Sequence, residues 1–457
     1  MAIGSFSLPT PESTSVWVRP TDWLAMPTGI TSANQTFVGL YAIFPEGQNY
    51  AAFLFTTSIG QYRVDWGDGT VTLHNSNTIA QYAYDYATIS NSTLTTRGYK
   101  QSMITVTAVS GNLLTCNLQQ RYITSPIQTT IYSTGFLDCI LSMPNAVSGG
   151  SIVISNPFTN VVNHTYIERF NILTIGGCTN ASTFFANCIS LQYVNLFNTI
   201  NVTIFEGMFY NCISIKSIPL FNTINSTTFN LTFSLCRSLR TVPLFDTQNA
   251  TIMGSMFQGC TSLLTVPLFN TIKATSMFQM FDACFSLKSV PLFNTIAVTN
   301  TSRMFRDCTS LINVPLFNMV SNLTVVDMFN RCTLLQSIPL FNTINVNNFS
   351  SFVVSCLSIN SILPLSTAAI TTTAGTDFGS VFNSCPSLDR IQMVFARTVN
   401  IASNQLSKTA LVEIFTNLVN RTATTSATIT ITGNWGASAL TVSDRLIATS
   451  KNWVIVG

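Results

Sequence analysis

The chain has 457 residues; only 8% are Asp, Glu, Lys or Arg while 47% are hydrophobic, with a net charge of +3 and a mean hydropathy of +0.37. Ordinary soluble domains carry about 25% charged residues, yet there is no run of 18 or more apolar residues for a membrane helix, and disordered chains are apolar-poor and highly charged. Two histidines (His74 and His164), scattered carboxylates and the lack of a basic run point away from acid–base catalysis, nucleic-acid binding and membrane insertion, and towards a structural or binding protein with no cofactor.

Residues 1–48 are rich in Ser, Thr and Pro and read as an extended N-terminal arm. They lack the pattern of a secretory signal, so synthesis and folding in a reducing cytosol are the simplest expectation. The arm is either a mobile tail or a segment docking on a partner, with Trp17 and Trp23 as anchors.

Residues 49–132 are strand-rich, with runs such as AAFLFTTS, QYRVDWGDGTVTL and SMITVTAVS separated by turn signals. The segment Val64-Asp65-Trp66-Gly67-Asp68-Gly69-Thr70 resembles the W/F-G-D-G-T hairpin of PKD-like domains. Tyr82-Ala83-Tyr84-Asp85-Tyr86 and Ile104-Thr105-Val106-Thr107 match that family's later strands, though a Tyr stands at its His-like position and the intervening insertion is longer. The resemblance implies a β-sandwich. Asp65 and Asp68 read first as turn formers; calcium, which needs six or more oxygens, is the alternative.

Residues 133–400 are governed by a repeat. Cys188, Cys212, Cys236, Cys260, Cys284, Cys308, Cys332 and Cys356 follow one another at intervals of 24, each within a unit M-F-x-x-C-x-S-L-x-x-V-P-L-F-N-T-I. Cys385 continues the series after an insertion of five, and Gly135 to Gly177 reads as degenerate opening coils. A period of 24 lies in the range of leucine-rich repeats, whose coils stack to bury one another's apolar positions, identical residues lying ~4.8 Å apart. Leu263, Val266, Leu268 and Ile272 read as interior positions, and Met280 to Cys284 as a short helical return arm.

Three ladders follow from stacking. The cysteines could form disulfides, bind metal or pack as small hydrophobes; stacked Cβ vectors suit a disulfide poorly and the C-x2-C spacing of zinc sites is absent, so packing is favoured. Asn198, Asn222, Asn270, Asn294, Asn318 and Asn342, with Asp246 in the same slot, read as structural residues satisfying turn backbone groups, inward-facing as in leucine-rich repeats; a line of ligand-binding amides is the alternative. With Val and Leu of V-P-L-F-N inward, alternation turns Phe197, Phe221, Phe245, Phe269, Phe293, Phe317 and Phe341 outward as a candidate contact ladder. The competing reading tucks these rings under a loop, or shifts the register by one.

Residues 401–457 read as a terminal cap: helical periodicity over Leu406 to Val419, a strand at Ala427 to Thr432, a capping-box signal at Thr441 and Asp444 opening a second helix, and a final strand at Trp453 to Val456. The fold expected is therefore mainly β with short helices: a leucine-rich-repeat solenoid of 24-residue coils, preceded by a PKD-like β-sandwich and closed by a small α/β cap.

The unit MFxxCxSLxxVPLFNTI, over about Asn180 to Arg397, is similar to the BspA-like leucine-rich repeats of bacterial surface proteins and phage relatives. The order WGDGT module, V-P-L-F-N-T solenoid and TITITGNWG…IATSKNWVIVG ending resembles structural proteins of marine tailed phages. These resemblances imply a virion surface protein made in the host cytoplasm (tail fibre, spike or capsid decoration), with a bacterial cell-surface adhesin as the alternative. The implied partners are other virion proteins, further copies of the chain, or a host receptor or glycan. A glycan-degrading enzyme would need paired carboxylates, and the acids of the repeats occur singly.

Overall fold

The structure, a computed structural model, describes residues 17–123, 132–148, 152–154, 162–367 and 378–457. The first sixteen residues of the arm lie outside these. The N-terminal part contains β1 (Thr36–Ile43), β2 (Tyr50–Asp65), β3 (Val71–Asn75), β4 (Thr78–Ala83), β5 (Lys100–Asn117), β6 (Tyr132–Ser133), β7 (Phe136–Ser142), β8 (Ile152–Val153), β9 (Val162–Asn163), β10 (Arg169–Thr174) and β11 (Tyr193–Val194). One sheet runs β11-β10-β7-β1-β5-β2-β3, with β4 added to β2 and β8 to β5. The pairing of β2 with β5 shifts register between Thr56 and Tyr62. Such bulges bend a sheet, and the two halves face each other: Phe37 of β1 lies 6.3 and 6.1 Å, ring to ring, from Phe53 and Phe55 of β2.

The stretch 1–48 is not wholly an arm, because it supplies β1, which sits between β5 and β7. All eight β1 residues are buried. The sequence TFVGLYAI shows no polar alternation because both faces are covered: Phe37, Tyr41 and Ile43 enter the main core, while Leu40 and Ala42 join a second cluster with Trp23, Tyr99 and Leu137. The boundary expected near residue 132 is crossed by the same sheet. Strand β7 pairs antiparallel with β1 on one side and parallel with β10 on the other, so the opening coils grow from the N-terminal sheet.

Beyond β11 the coils stack through seven isolated parallel bridges joining Asn180, Ile204, Thr228, Ile252, Ser276, Asn300, Thr324 and Asn348. The Met-Phe-x-x-Cys segment is not helical, contrary to the reading above. Ser255 N–H donates to Phe278 O at 2.8 Å, Phe257 N–H to Met280 O at 3.0 Å and Gly259 N–H to Asp282 O at 2.7 Å, all one coil ahead. Ser255 and Gly259 have φ of 51° and 70°, and the corresponding Gln279 and Ala283 have 57° each. These left-handed residues turn alternate N–H groups out of the coil's own turns and towards its neighbour, so the return arm is built from turns cross-linked like parallel strands.

The C-terminal region holds β12 (Ser361–Ile362), β13 (Arg390–Ile391), β14 (Val399–Asn400), α1 (Lys408–Asn417), β15 (Ala427–Thr430), α2 (Val442–Thr449) and β16 (Trp453–Val456). The capping box forms: Thr441 Oγ1 accepts from Asp444 N–H, and Asp444 accepts from Thr441 N–H. Strands β14, β15 and β16 form a parallel sheet that continues the stacking direction and ends the array. The main hydrophobic core runs continuously from Phe37 to Trp453, beside the smaller cluster around Trp23. No described helix is long and apolar enough to cross a membrane.

Candidate functional site

The V-P-L-F-N-T-I arc decides which face of the solenoid meets solvent. The Phe ladder expected outside is inside: Phe197 to Phe341 are 1–5% exposed. The residues exposed in their place are Leu196, Leu220, Leu244, Leu268, Leu292, Leu316 and Leu340, at 52–60%, joined by Ile200, Ile224, Ile272, Ile296 and Ile344. Leu268 and Ile272 are therefore corrected from interior to surface. The cause is local. In six successive coils the Phe N–H donates to the carbonyl of the Pro two residues earlier, at 2.8–3.0 Å, from Phe221 to Phe341. That γ-turn centred on Leu breaks the strand alternation, throws Leu outward and returns Phe to the core. Phe269, Phe293 and Phe317 then stack with centroids 6.4 Å apart and planes within 6–7°.

The Asn ladder faces outward, not inward, and its side-chain oxygens serve their own turns. Asn270 Oδ1 accepts from Ile272 N–H at 3.3 Å, Asn294 Oδ1 from Ile296 N–H at 3.1 Å, and Asp246 Oδ1 from Gln248 N–H at 3.1 Å. The same bond recurs at Asn198, Asn222, Asn318 and Asn342. The next residue forms an inward ladder that sequence reasoning passed over: buried Thr271 donates its hydroxyl to Asn294 O at 2.8 Å, and Thr295 to Asn318 O at 2.7 Å. The signal was the recurrence of N-T-I in five of the seven coils, with Thr also at 247 and Met319 in its place once.

All twelve cysteines are buried and free. The ladder from Cys188 to Cys356 packs as expected and does more. From Cys212 onward each Sγ–H donates to a Phe carbonyl of the preceding coil: Cys212 to Phe185, Cys236 to Phe209, Cys260 to Phe233, Cys284 to Phe257, Cys308 to Phe281, Cys332 to Phe305 and Cys356 to Phe329, at 2.9–3.1 Å. Burial pushes the thiols of Cys212, Cys260 and Cys308 well above their ordinary range, which removes the reactive thiolate.

Several of the few charges are paired between coils. Arg306 grips Asp282 through two bonds of 2.8 and 2.7 Å, Arg303 lies 3.2 Å from Asp327 and Arg331 3.5 Å from Asp307, each pair one coil apart. Opposite charges in one slot of adjacent coils are readable from the 24-residue spacing. A second cluster binds the arm to the body rather than to a separate partner. Asp138, wholly buried on β7, takes two bonds from Arg169 at 2.7 and 2.6 Å and one from Arg19 at 2.8 Å. Trp17 stacks on Tyr193 and bonds Glu168, which also meets Arg97; Trp23 donates to Tyr99 at 2.9 Å.

Asp65 and Asp68 serve their own hairpin, accepting from Gly67 N–H and Thr70 N–H at 3.0 and 2.9 Å, with Tyr82 also donating to Asp68. Gly67, at φ +81°, approaches the next strand so closely that a Cβ would stand 2.5 Å from Met103 O. Among the described residues no group of three or more His, Cys, Asp or Glu side chains is placed to hold a metal. An open groove of about 540 Å³ lies beside the cap, lined by residues including Arg397, Thr398, Asn420, Arg421 and Thr424. Arg421 there donates to the carbonyl of Thr425. The most extended exposed apolar feature among the described residues is the Leu/Ile row.

A family model described as "Mycoplasma protein of unknown function, DUF285" matches residues 179–290 and 227–336. No curated protein matches the chain. Solved structures that match include a leucine rich cell surface protein from Faecalibacterium prausnitzii A2-165, 15% identical, covering 73% of this chain and 93% of that chain with a TM-score of 0.28. The part matched by the family model is the regular solenoid itself, an array of 24-residue coils of mainly β character joined by parallel bridges.

Proposed function

We propose that the chain is a surface adhesin of the BspA-like repeat type, a non-enzymatic contact protein displayed on a bacterial cell. The observation that carries this reading is the row of Leu exposed in each of seven successive coils, flanked by an exposed Ile in five of them. Monomeric proteins rarely leave such a continuous apolar surface open, and those that do use it for contact. The thiols of the same coils are turned inward, and Arg303, Arg306 and Arg331 are paired with Asp327, Asp282 and Asp307 one coil away, so the outward chemistry of the Leu/Ile arc is largely shape and apolar area. In this reading the N-terminal module, PKD-like in its WGDGT hairpin, forms the base to which the array is fixed. Its hairpin is held by Tyr84, whose hydroxyl donates to Trp66 O at 2.7 Å, and by Tyr82 stacked on Trp66. Surface biotinylation of producing cells, followed by binding of the purified chain to those cells, tests the proposal. Label on the chain and saturable binding are expected; a chain confined to the cytosolic fraction that adheres to nothing rejects it.

The order of modules favours a second reading, a virion attachment or decoration protein. There, mass spectrometry of purified particles finds the chain in stoichiometric amounts; its absence from particles leaves the adhesin reading alone.

A further inference from the structure

We propose that the solenoid binds a linear acidic glycan, one carrying sulfate or carboxylate groups, along the segment that follows each cysteine. This surface lies on a different arc of the coil from the Leu/Ile row, so the inference goes beyond the adhesin reading and stands without it. Three features carry it: a column of cations, a parallel column of hydroxyls and an aromatic pair at its end.

In the five residues after each cysteine from Cys188 to Cys332 there are four cations, Lys216, Arg237, Arg240 and Lys288, all exposed, and no Asp or Glu. The acids of the same coils lie elsewhere: Glu206, Asp282, Asp307 and Asp327 on the return arm and Asp246 in the Leu arc. Backbone bonds stack these segments coil on coil, Ser238 N–H donating to Ile213 O at 3.1 Å and Leu264 N–H to Arg240 O at 3.0 Å. Lys216 and Arg240 therefore share one slot in adjacent coils, with Lys288 two coils further on, at backbone spacings of about 5 and 10 Å. On the return arm the same relation joins opposite signs, as in Arg306 with Asp282 and Arg331 with Asp307. Like charges in neighbouring slots repel, and an anionic chain lying along them turns that repulsion into attraction. The 24-residue period disperses this column through the sequence, so it never reads as a basic run.

The adjoining slot is occupied by Ser217, Thr241, Thr265, Ser289, Asn313 and Ser337, all exposed. Hydroxyls and an amide beside a line of cations fit a polymer whose units carry both hydroxyl and anionic groups. At the N-terminal end of this slot stands Tyr193, 39% exposed and stacked on Trp17 with ring centroids 6.4 Å apart. Beside it is an open cleft of about 220 Å³ lined by residues including Gln192, Tyr193, Ser217 and Pro219. Glu168 at this end already accepts from Arg97 and from Trp17 Nε1. The aromatic pair offers an apolar platform for one sugar ring, with its polar edges free to bond. A single-stranded nucleic acid would instead call for a ring under each successive base.

Titration calorimetry of the full chain with a dextran sulfate oligosaccharide at low salt tests this, with neutral dextran and oligothymidylate as comparators. Binding of the sulfated chain, weaker binding of oligothymidylate and none of dextran are expected, with affinity falling steeply as salt rises. Lys216→Gln with Arg240→Gln is expected to lower affinity about tenfold with an unchanged melting curve, because both side chains are outside the core. Lys273→Gln, which removes a cation from the Leu/Ile arc, is expected to leave affinity unchanged. Tyr193→Ala is expected to weaken binding several-fold and Tyr193→Phe to keep it. The proposal is overturned if dextran sulfate does not bind, or if the double variant or Tyr193→Ala binds as the unaltered chain does. Tighter binding of oligothymidylate, or an equal loss from Lys273→Gln, overturns it as well. Glycan binding by a chain that adheres to no cell leaves this site standing and removes the adhesin reading.

Discussion

Cys284 Sγ lies 3.1 Å from the carbonyl oxygen of Phe257, one coil back, and that carbonyl also accepts from Cys260 N–H at 3.0 Å. Each cysteine thus fills a core slot too small for a larger side chain and supplies a second donor to a buried carbonyl, stitching coil to coil without a covalent bond. Two consequences follow. Cys284→Ala is expected to lower stability by about 1–2 kcal/mol in chemical denaturation, through the lost donor and the small void. All twelve thiols are expected to resist alkylation in the folded chain and to react together on unfolding; rapid labelling of any ladder thiol under native conditions contradicts the packing described here.

Adjacent residues of one coil are expected to behave as opposites. Phe293→Ala removes a stacked core ring and is expected to cost about 3–5 kcal/mol. Leu292→Ala, next to it but exposed, is expected to stay within about 0.5 kcal/mol of the unaltered chain. Equilibrium unfolding of the two variants under dilute conditions measures the difference, and the reverse order restores the outward Phe ladder.

The wholly buried Asp138 carboxylate holds Arg19 and Arg169 together. Asp138→Ala leaves two guanidiniums without their partner and is expected to cost about 3–5 kcal/mol. Because Arg19 fixes the arm that carries Trp17 and Trp23, tryptophan emission is expected to shift to the red and protease to cut near residue 30 before the rest of the chain unfolds. An unchanged emission spectrum separates the arm from Asp138.

His164 is buried with Nδ1 2.6 Å from Thr134 Oγ1, and burial pushes its pKa down to about 4 from 6.5. The folded chain keeps the imidazole neutral while the unfolded chain takes up a proton below pH ~6.5. Its contribution is therefore complete above pH 6.5 and is lost as pH falls towards 4, by about 3 kcal/mol in all. His164→Gln, which cannot be protonated, is expected to flatten the stability–pH curve over that window. An equally steep curve in the variant assigns the acid sensitivity to other groups.

Much of this architecture is legible in the sequence. The 24-residue spacing of cysteines fixes the number of regular coils and their register. The capping box at Thr441 and Asp444 and the alternation at the C-terminus mark the cap elements to within a few residues. Buried cysteines and structural asparagines follow from spacing and side-chain chemistry, because a stacked array repeats the same environment every coil. What the sequence left open was orientation. The Pro-to-Phe γ-turn exchanges inside and outside within three residues, and V-P-L-F-N reads the same whether or not it forms. The covering of β1 on both faces, the capture of Trp17 by Tyr193 and Arg169 and of Trp23 by Tyr99, and the cross-coil bonds that replace a helical return arm all depend on residues far apart in the chain. Periodicity records which positions are equivalent; only stacking decides which of them face water.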